Sequence, residues 1–339
     1  MRIGFVVFVA IAVRPATAAD IPVPKPMTAD EPVAKAYSAA KAAEYLDGVG
    51  VNWTRDRQCA TCHTNVPYLM ARPALSGDTG WKEVRTFLET DVAKWKTDKP
   101  RGDAYVVVTA VSLGWNDART TKKLAPATRD ALAKMWTVQR AAGDWNWLKC
   151  GWPPFEHDDY YGAVFAAIGV GAAPENYAAS DAAKPGLAKL RTYLAKTTPP
   201  DLHHKLYLLW ASINLPGLMT ADAQKACADE LLSKQRPDGG WALPALGTYT
   251  RKDGSPNDPK AVSDGYATGL AVFVLRQTGV PMTDPAVVNG VRWLKANQRE
   301  SGRWFTRSLN NDKAHYITNA GTAFAVLALE SCGEAVAAK

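Results

Sequence analysis

Gln298-Arg299-Glu300-Ser301-Gly302-Arg303-Trp304 repeats, in the same frame, two earlier segments: Gln139-Arg140-Ala141-Ala142-Gly143-Asp144-Trp145 and Gln235-Arg236-Pro237-Asp238-Gly239-Gly240-Trp241. Each reads Q-R-x-x-G-x-W. The glycine permits a tight turn after a helix, and the glutamine amide and the indole can tie the end of that helix to its neighbour. Helical faces precede two of the segments, with Met135 and Trp136 ahead of the first and Val291, Trp293 and Leu294 ahead of the third. Longer apolar helices are expected behind them, over residues 158–170, 264–278 and 315–330. The last two carry Ala, Gly and Thr at close spacing, as tightly packed inner helices need.

Worn copies of the same unit fill the remaining chain. Residues 187–194 read as an amphipathic helix broken by Pro199-Pro200 and followed by an apolar helix over 201–214. Residues 84–95 lead through Pro100-Arg101-Gly102 into 103–113, and residues 34–46 lead through Gly48 to Trp53 into a cysteine motif and a helix after Pro67. That makes six helical hairpins with almost no alternating strand pattern. The economical closure is an all-α ring, a single (α/α)6 toroid over residues 34–332, with parallel inner helices and outer helices antiparallel to them.

The Q-R-x-x-G-x-W segments resemble the QW motifs of squalene-hopene cyclases, and the ring resembles the terpenoid cyclase and protein prenyltransferase superfamily. The resemblance spans roughly residues 34–329 and implies a deep central cavity whose aromatic faces stabilise carbocations. It also implies an apolar or isoprenoid small molecule as ligand. Asp158 or Asp159, with His157 beside them, would then protonate an alkene. Trp145, Trp147, Trp152, Trp241, Trp304, Tyr160, Tyr266 and Tyr316 would line the cavity. The protonating motif of the cyclases is D-x-D-D-T-A, whereas this chain has Glu156-His157-Asp158-Asp159-Tyr160-Tyr161. It has length for one helical domain rather than two. The zinc set of the prenyltransferases is unmatched, because no cysteine accompanies Asp264 although His315 falls near the expected place. These departures point to shared ancestry rather than shared activity.

Composition bounds the class. Of 339 residues, 47% are hydrophobic and 22% charged, a profile that excludes a polytopic membrane protein and excludes disorder over most of the length. The net charge of +7 is carried by scattered basic residues with no stripe for nucleic acid. Arg2, the apolar run over residues 3–13 and Ala16-Thr17-Ala18 read as a signal peptide over residues 1–18, too short to span a bilayer. Arg14, close to the cleavage site, keeps an uncleaved interfacial anchor open as the alternative. The expected protein is exported, periplasmic or secreted, with no integral span after cleavage. Pro22, Pro24, Pro26 and Pro32 mark residues 19–33 as a proline-rich tether.

Cys59-Ala60-Thr61-Cys62-His63 is a C-x-x-C-H pentad, in which two thiols add to the vinyl groups of a haem and the adjacent imidazole reaches the iron. One covalent haem c on Cys59, Cys62 and His63 is therefore expected, and export agrees with it. The competing readings are a Cys59 to Cys62 disulfide, or a zinc half-site completed by Cys150, Cys227 or Cys332. No βαβ context supports a thioredoxin-like motif.

Every histidine, His63, His157, His203, His204 and His315, falls at or just before the start of an expected inner helix, so all five should gather at one mouth of the ring. Asp103, Asp158, Asp159, Asp201 and Asp264 lie there too, where helix capping is the ordinary explanation. The second axial ligand of the haem is left open among His157, His203, His204, His315 or none. Met70 follows His63 too closely to reach the opposite face of the iron, and Met135 and Met282 read as core filler. Two functional classes result. The first is an exported redox or small-ligand haem protein with a redox partner protein, and the second an isoprenoid enzyme or binding protein.

Overall fold

In the computed structural model, which describes residues 21–77, 80–96, 101–255, 257–258, 260–312 and 316–334, the three Q-R-x-x-G-x-W segments form one turn three times over. The glutamine Nε2 donates both to the carbonyl of its own glycine and to the next outer helix. Gln139 reaches Gly143 and Gly186, both at 2.9 Å, and Gln235 reaches Gly239 and Ala286, again at 2.9 Å. Gln298 reaches Gly302 and Ser38 at 3.0 Å. The indole N–H donates to the carbonyl ten residues earlier: Trp145 to Met135, Trp241 to Leu231 and Trp304 to Leu294. The glycine of each turn has φ near +90° and touches the next helix. A Cβ on Gly302 would lie 2.0 Å from the carbonyl oxygen of Lys41.

Among the described residues, twelve α-helices alternate between two layers. The outer set is α1 (Ala39–Arg57), α3 (Trp81–Ala93), α5 (Pro126–Thr137), α7 (Lys184–Lys196), α9 (Ala221–Leu232) and α11 (Pro285–Asn297). The inner set is α2 (Asn65–Ala71), α4 (Gly102–Arg119), α6 (Asp159–Ala172), α8 (Leu202–Asn214), α10 (Gly265–Gln277) and α12 (Ile317–Ser331). Each inner helix packs on the next, and α12 packs back on α2, which closes the ring. Among the described residues there are no strands, only two isolated bridges. No described helix is long and apolar enough to cross a membrane.

Periodicity sorts the layers. Outer helix α3 buries only Val84, Leu88 and Val92, a stripe at four-residue spacing, whereas α10 is buried without a break from Gly265 to Leu275. Small residues let inner helices meet backbone to backbone: a Cβ on Gly269 of α10 would lie 2.6 Å from the Ala325 nitrogen of α12. The ring's centre is filled by aromatic side chains meeting edge to face, with Trp210 at 5.0 Å from Phe273 and 5.1 Å from Trp115.

Two expectations change. The first outer helix does not end at residue 46. It continues to Arg57, because Gly48 and Gly50 serve as contact points within it, Gly50 lying against the ring of Tyr68. Residues 21–33 of the expected tether are strapped onto the ring, with Ile21 buried. Arg303 binds the Glu31 carboxylate and donates to the carbonyls of Lys25 and Pro26, and the Ala34 N–H meets Gln298 O at 2.7 Å. Proline lacks a donor but keeps its acceptor, so a proline-rich segment can still be held by a neighbouring arginine. The expected signal peptide and His315 lie outside the described residues.

Candidate functional site

Gln58, in the left-handed region with φ of 46°, ends α1 and turns the chain into the cysteine pentad. Asn65, at the start of α2, holds that pentad: its Oδ1 accepts from the Thr61 N–H at 2.8 Å, and its Nδ2 donates to Cys59 O at 2.8 Å. The loop therefore has a fixed shape before any ligand enters.

His63 is buried, and its Nδ1 shares a 2.7 Å hydrogen bond with Thr64 Oγ1. Asn319 Nδ2 donates to the same hydroxyl at 3.0 Å, and Tyr45 OH donates to Asn319 Oδ1 at 2.7 Å. Tyr316 stacks on the imidazole at 4.9 Å and Trp53 meets it edge-on at 5.0 Å. Burial lowers the His63 pKa to about 3, so the ring is neutral, the form that binds metals. All five cysteines are free thiols. Burial raises the Cys59 and Cys62 thiols, the buried Cys62 further.

The pentad opens on a cavity of about 610 Å³. Cys59 and His63 form one side of it, Trp53, Trp95, Tyr105, Trp152 and Tyr316 supply aromatic walls, and the exposed Arg101 and Lys252 stand beside them. Lys252 Nζ sits 5.9 Å from the centre of the Trp152 ring. The loop before α6 adds Leu148, Cys150 and Glu156.

Hydrogen bonds chain the starts of the inner helices together at this end. Asp158 caps α6 and meets His204, in the first turn of α8, at 2.9 Å. His203 Nε2 meets Tyr266 OH of α10 at 2.7 Å. Thr306 Oγ1 accepts from the Tyr266 N–H while Thr318 Oγ1 accepts from the Thr306 N–H, and Asn319 of α12 reaches Thr64 before α2. Asp201 and Asp264 cap their helices, while Asp103 lies in the first turn of α4.

The described histidines thus share one end but not one cavity. His157 is exposed and lies edge-on to Tyr249 at 5.9 Å. His203 is fully buried and neutral, its pKa lowered to about 3 by burial and then by His204. His204 is held between Asp201 Oδ1 at 2.6 Å and Asp158 Oδ2 at 2.9 Å. Burial opposes its charge, yet the two carboxylate bonds raise its pKa to about 9 and make it an imidazolium. Asp201, His203 and His204 are the one group of potential metal ligands within 4.8 Å among the described residues. Both nitrogens of His204 are already committed, which makes the group a charge clamp.

Asp158 and Asp159 do not suit the role of proton donor. Burial alone would raise both, but His204 holds Asp158 below the usual range, and the Trp147 N–H with Arg140 and Lys149 does the same to Asp159. Trp145, Trp241 and Trp304 are fully buried in the wall between layers, bonded as described above. Trp147 donates to Phe155 O at 2.8 Å, Tyr160 packs near Tyr193 and His204, and Tyr266 is fully buried. Of the eight aromatics expected to line a cavity, Trp152 and Tyr316 stand at this one. Asn65, Thr64, Asn319, Trp53 and Glu156 escaped sequence reasoning. Only Asn65 carried a local signal, as a side chain able to bond the backbone of the adjacent turn.

No family model matches the sequence, and no curated protein matches it. Among solved structures the chain is similar to a polysaccharide lyase, at 13% identity and TM-score 0.54, over 86% of this chain and 96% of that one. It is also similar to a possible member of the GH105 family from Klebsiella pneumoniae subsp. pneumoniae, at 10% identity and TM-score 0.52, over 86% of this chain and 91% of that one. The likeness is one of fold, the α/α toroid.

Proposed function

We propose that the chain carries one covalently bound haem c, attached through Cys59 and Cys62 with His63 on the iron, and serves as an exported redox or small-ligand protein. The observation that carries this reading is the cavity at the pentad. It joins the Cys59 thiol and a neutral imidazole to aromatic walls, and the cations Arg101 and Lys252 that stand at it suit the carboxylates of a haem. Haem supplies an iron that passes single electrons or binds a small ligand. The Thr64 and Asn319 bonds fix the imidazole's orientation, as partners behind a metal ligand commonly do. Cys62 is 4% exposed, so attachment has to precede closure of the fold around it. A redox partner protein would complete the electron-transfer form of this function.

Other readings have less to stand on. An isoprenoid cyclase needs an acidic carboxyl over an open central cavity. Here Asp158 and Asp159 hold their charge and the centre is packed with rings. A lyase or hydrolase role, suggested by the names of the structural neighbours, finds a neutral His203 beside the hydroxyl of Tyr266, but both are fully buried away from any polymer.

The test is an absorption spectrum of protein exported from cells that carry haem c maturation machinery. A Soret band that persists after acidified acetone extraction is expected, and replacing both Cys59 and Cys62 by alanine should remove it. A colourless wild-type protein would leave the disulfide or zinc reading.

A further inference from the structure

Haem attachment makes no use of Glu156 or Cys150, yet the loop between Trp147 and Asp158 brings both into the cavity wall. Backbone bonds fix that loop: the Cys150 N–H donates to Glu156 O at 3.1 Å, and the Glu156 N–H donates to Trp152 O at 3.0 Å. The Cys150 thiol lies against the Glu156 carboxyl and shares its hydrogen bonding. Facing the carboxyl are Arg101 from the start of α4, Cys59 and Cys62 of the pentad, and Lys252 across the cavity. Of the described histidines only His63 lines this cavity, so no second described imidazole competes there with a small molecule.

We propose that Glu156, steadied by Cys150, is the proton-transfer residue for small protic ligands of the hydrogen peroxide class, HX, that bind in the haem cavity. The inference rests on the haem reading above. As HX binds, the H–X bond breaks heterolytically, the proton passes to a carboxylate oxygen of Glu156, the electron pair stays with X, and the anion X⁻ remains in the cavity. No electron is exchanged in this step. Burial supports it by raising the Glu156 carboxyl toward working pH, where a base is most effective, while Cys150 and then Arg101 oppose that rise and keep the carboxylate accessible.

Hydrogen cyanide is a suitable probe, because its proton must leave as the anion binds ferric haem. In stopped-flow mixing of ferric holoprotein with cyanide at pH 7, Glu156→Gln should slow association by about 10²-fold with the visible spectrum unchanged. Glu156→Asp should recover part of the rate. The wild-type rate should follow a single carboxyl titration, and Cys150→Ala should move its midpoint upward, because the thiol bond that holds the carboxyl down is gone. Equal rates for wild type and Glu156→Gln, or a wild-type rate independent of pH from 4 to 8, would overturn the proposal and leave covalent haem standing. Wild-type protein without covalent haem would overturn both.

Discussion

Nε2 of His204 lies 2.9 Å from Oδ2 of Asp158, a bond that joins the first turn of α8 to the cap of α6. Asp201 holds the other nitrogen, so one imidazolium is shared by two helix-capping carboxylates at the mouth of the ring. The clamp ties one hairpin to the next, α6 to α8, as each glutamine turn does for the outer layer.

A pH dependence follows. The folded pKa of His204, about 9, lies above the ordinary value of about 6.5. Its contribution, on the order of 3 kcal/mol, is complete below about pH 6.5 and is lost as pH rises through the folded value. Urea unfolding at pH 6 and at pH 9.5 should show that loss in wild type. His204→Gln should be less stable at pH 6 and should lack the extra slope, and an unchanged slope in the variant would remove the clamp from the account.

Gly302 and Gly254 both have positive φ, but only Gly302 is crowded. Gly302→Ala should cost well over 2 kcal/mol, combining backbone strain with overlap on Lys41, whereas Gly254→Ala should cost about 1 kcal/mol. Equilibrium denaturation of the two variants compares them directly. Similar losses would mean that the turn does not seat on the next outer helix.

Trp304 and Trp152 separate wall from cavity. Trp304→Phe removes the bond to Leu294 and should lower stability by about 1 to 3 kcal/mol with no change in the haem spectrum. Trp152→Ala should leave stability nearly intact and shift the Soret band. The reverse pattern would return the glutamine-linked tryptophans to the cavity.

Much of the fold was legible because one local motif repeats. A glutamine, a positive-φ glycine and a tryptophan at fixed spacing encode their turn with few distant choices, and the alternation of striped and uniformly apolar helices supplies the two layers. The strap over residues 21–33 was not legible, since its partner Arg303 stands at the far end of the chain. Nor was the charge state of Asp158, which depends on His204 two helices away. Spacing relates the described histidines to the starts of the inner helices, but spacing cannot say which side chains turn into a cavity. For His203 the deciding contact is Tyr266, more than sixty residues on.

Thr64 makes a smaller claim about the same centre. Thr64→Val should retain covalent haem but lose the bond that orients His63, changing the reduction potential measured by spectroelectrochemistry. An unaltered potential would show that the hydroxyl does not tune the imidazole.

The most direct test of the central claim is the intact mass of the denatured chain after export from cells carrying haem c maturation machinery. The account predicts a single species heavier by one haem, reduced to the bare chain in the Cys59→Ala, Cys62→Ala double variant. A wild-type mass equal to the bare chain, or short by the two hydrogens of a Cys59 to Cys62 disulfide, would contradict it.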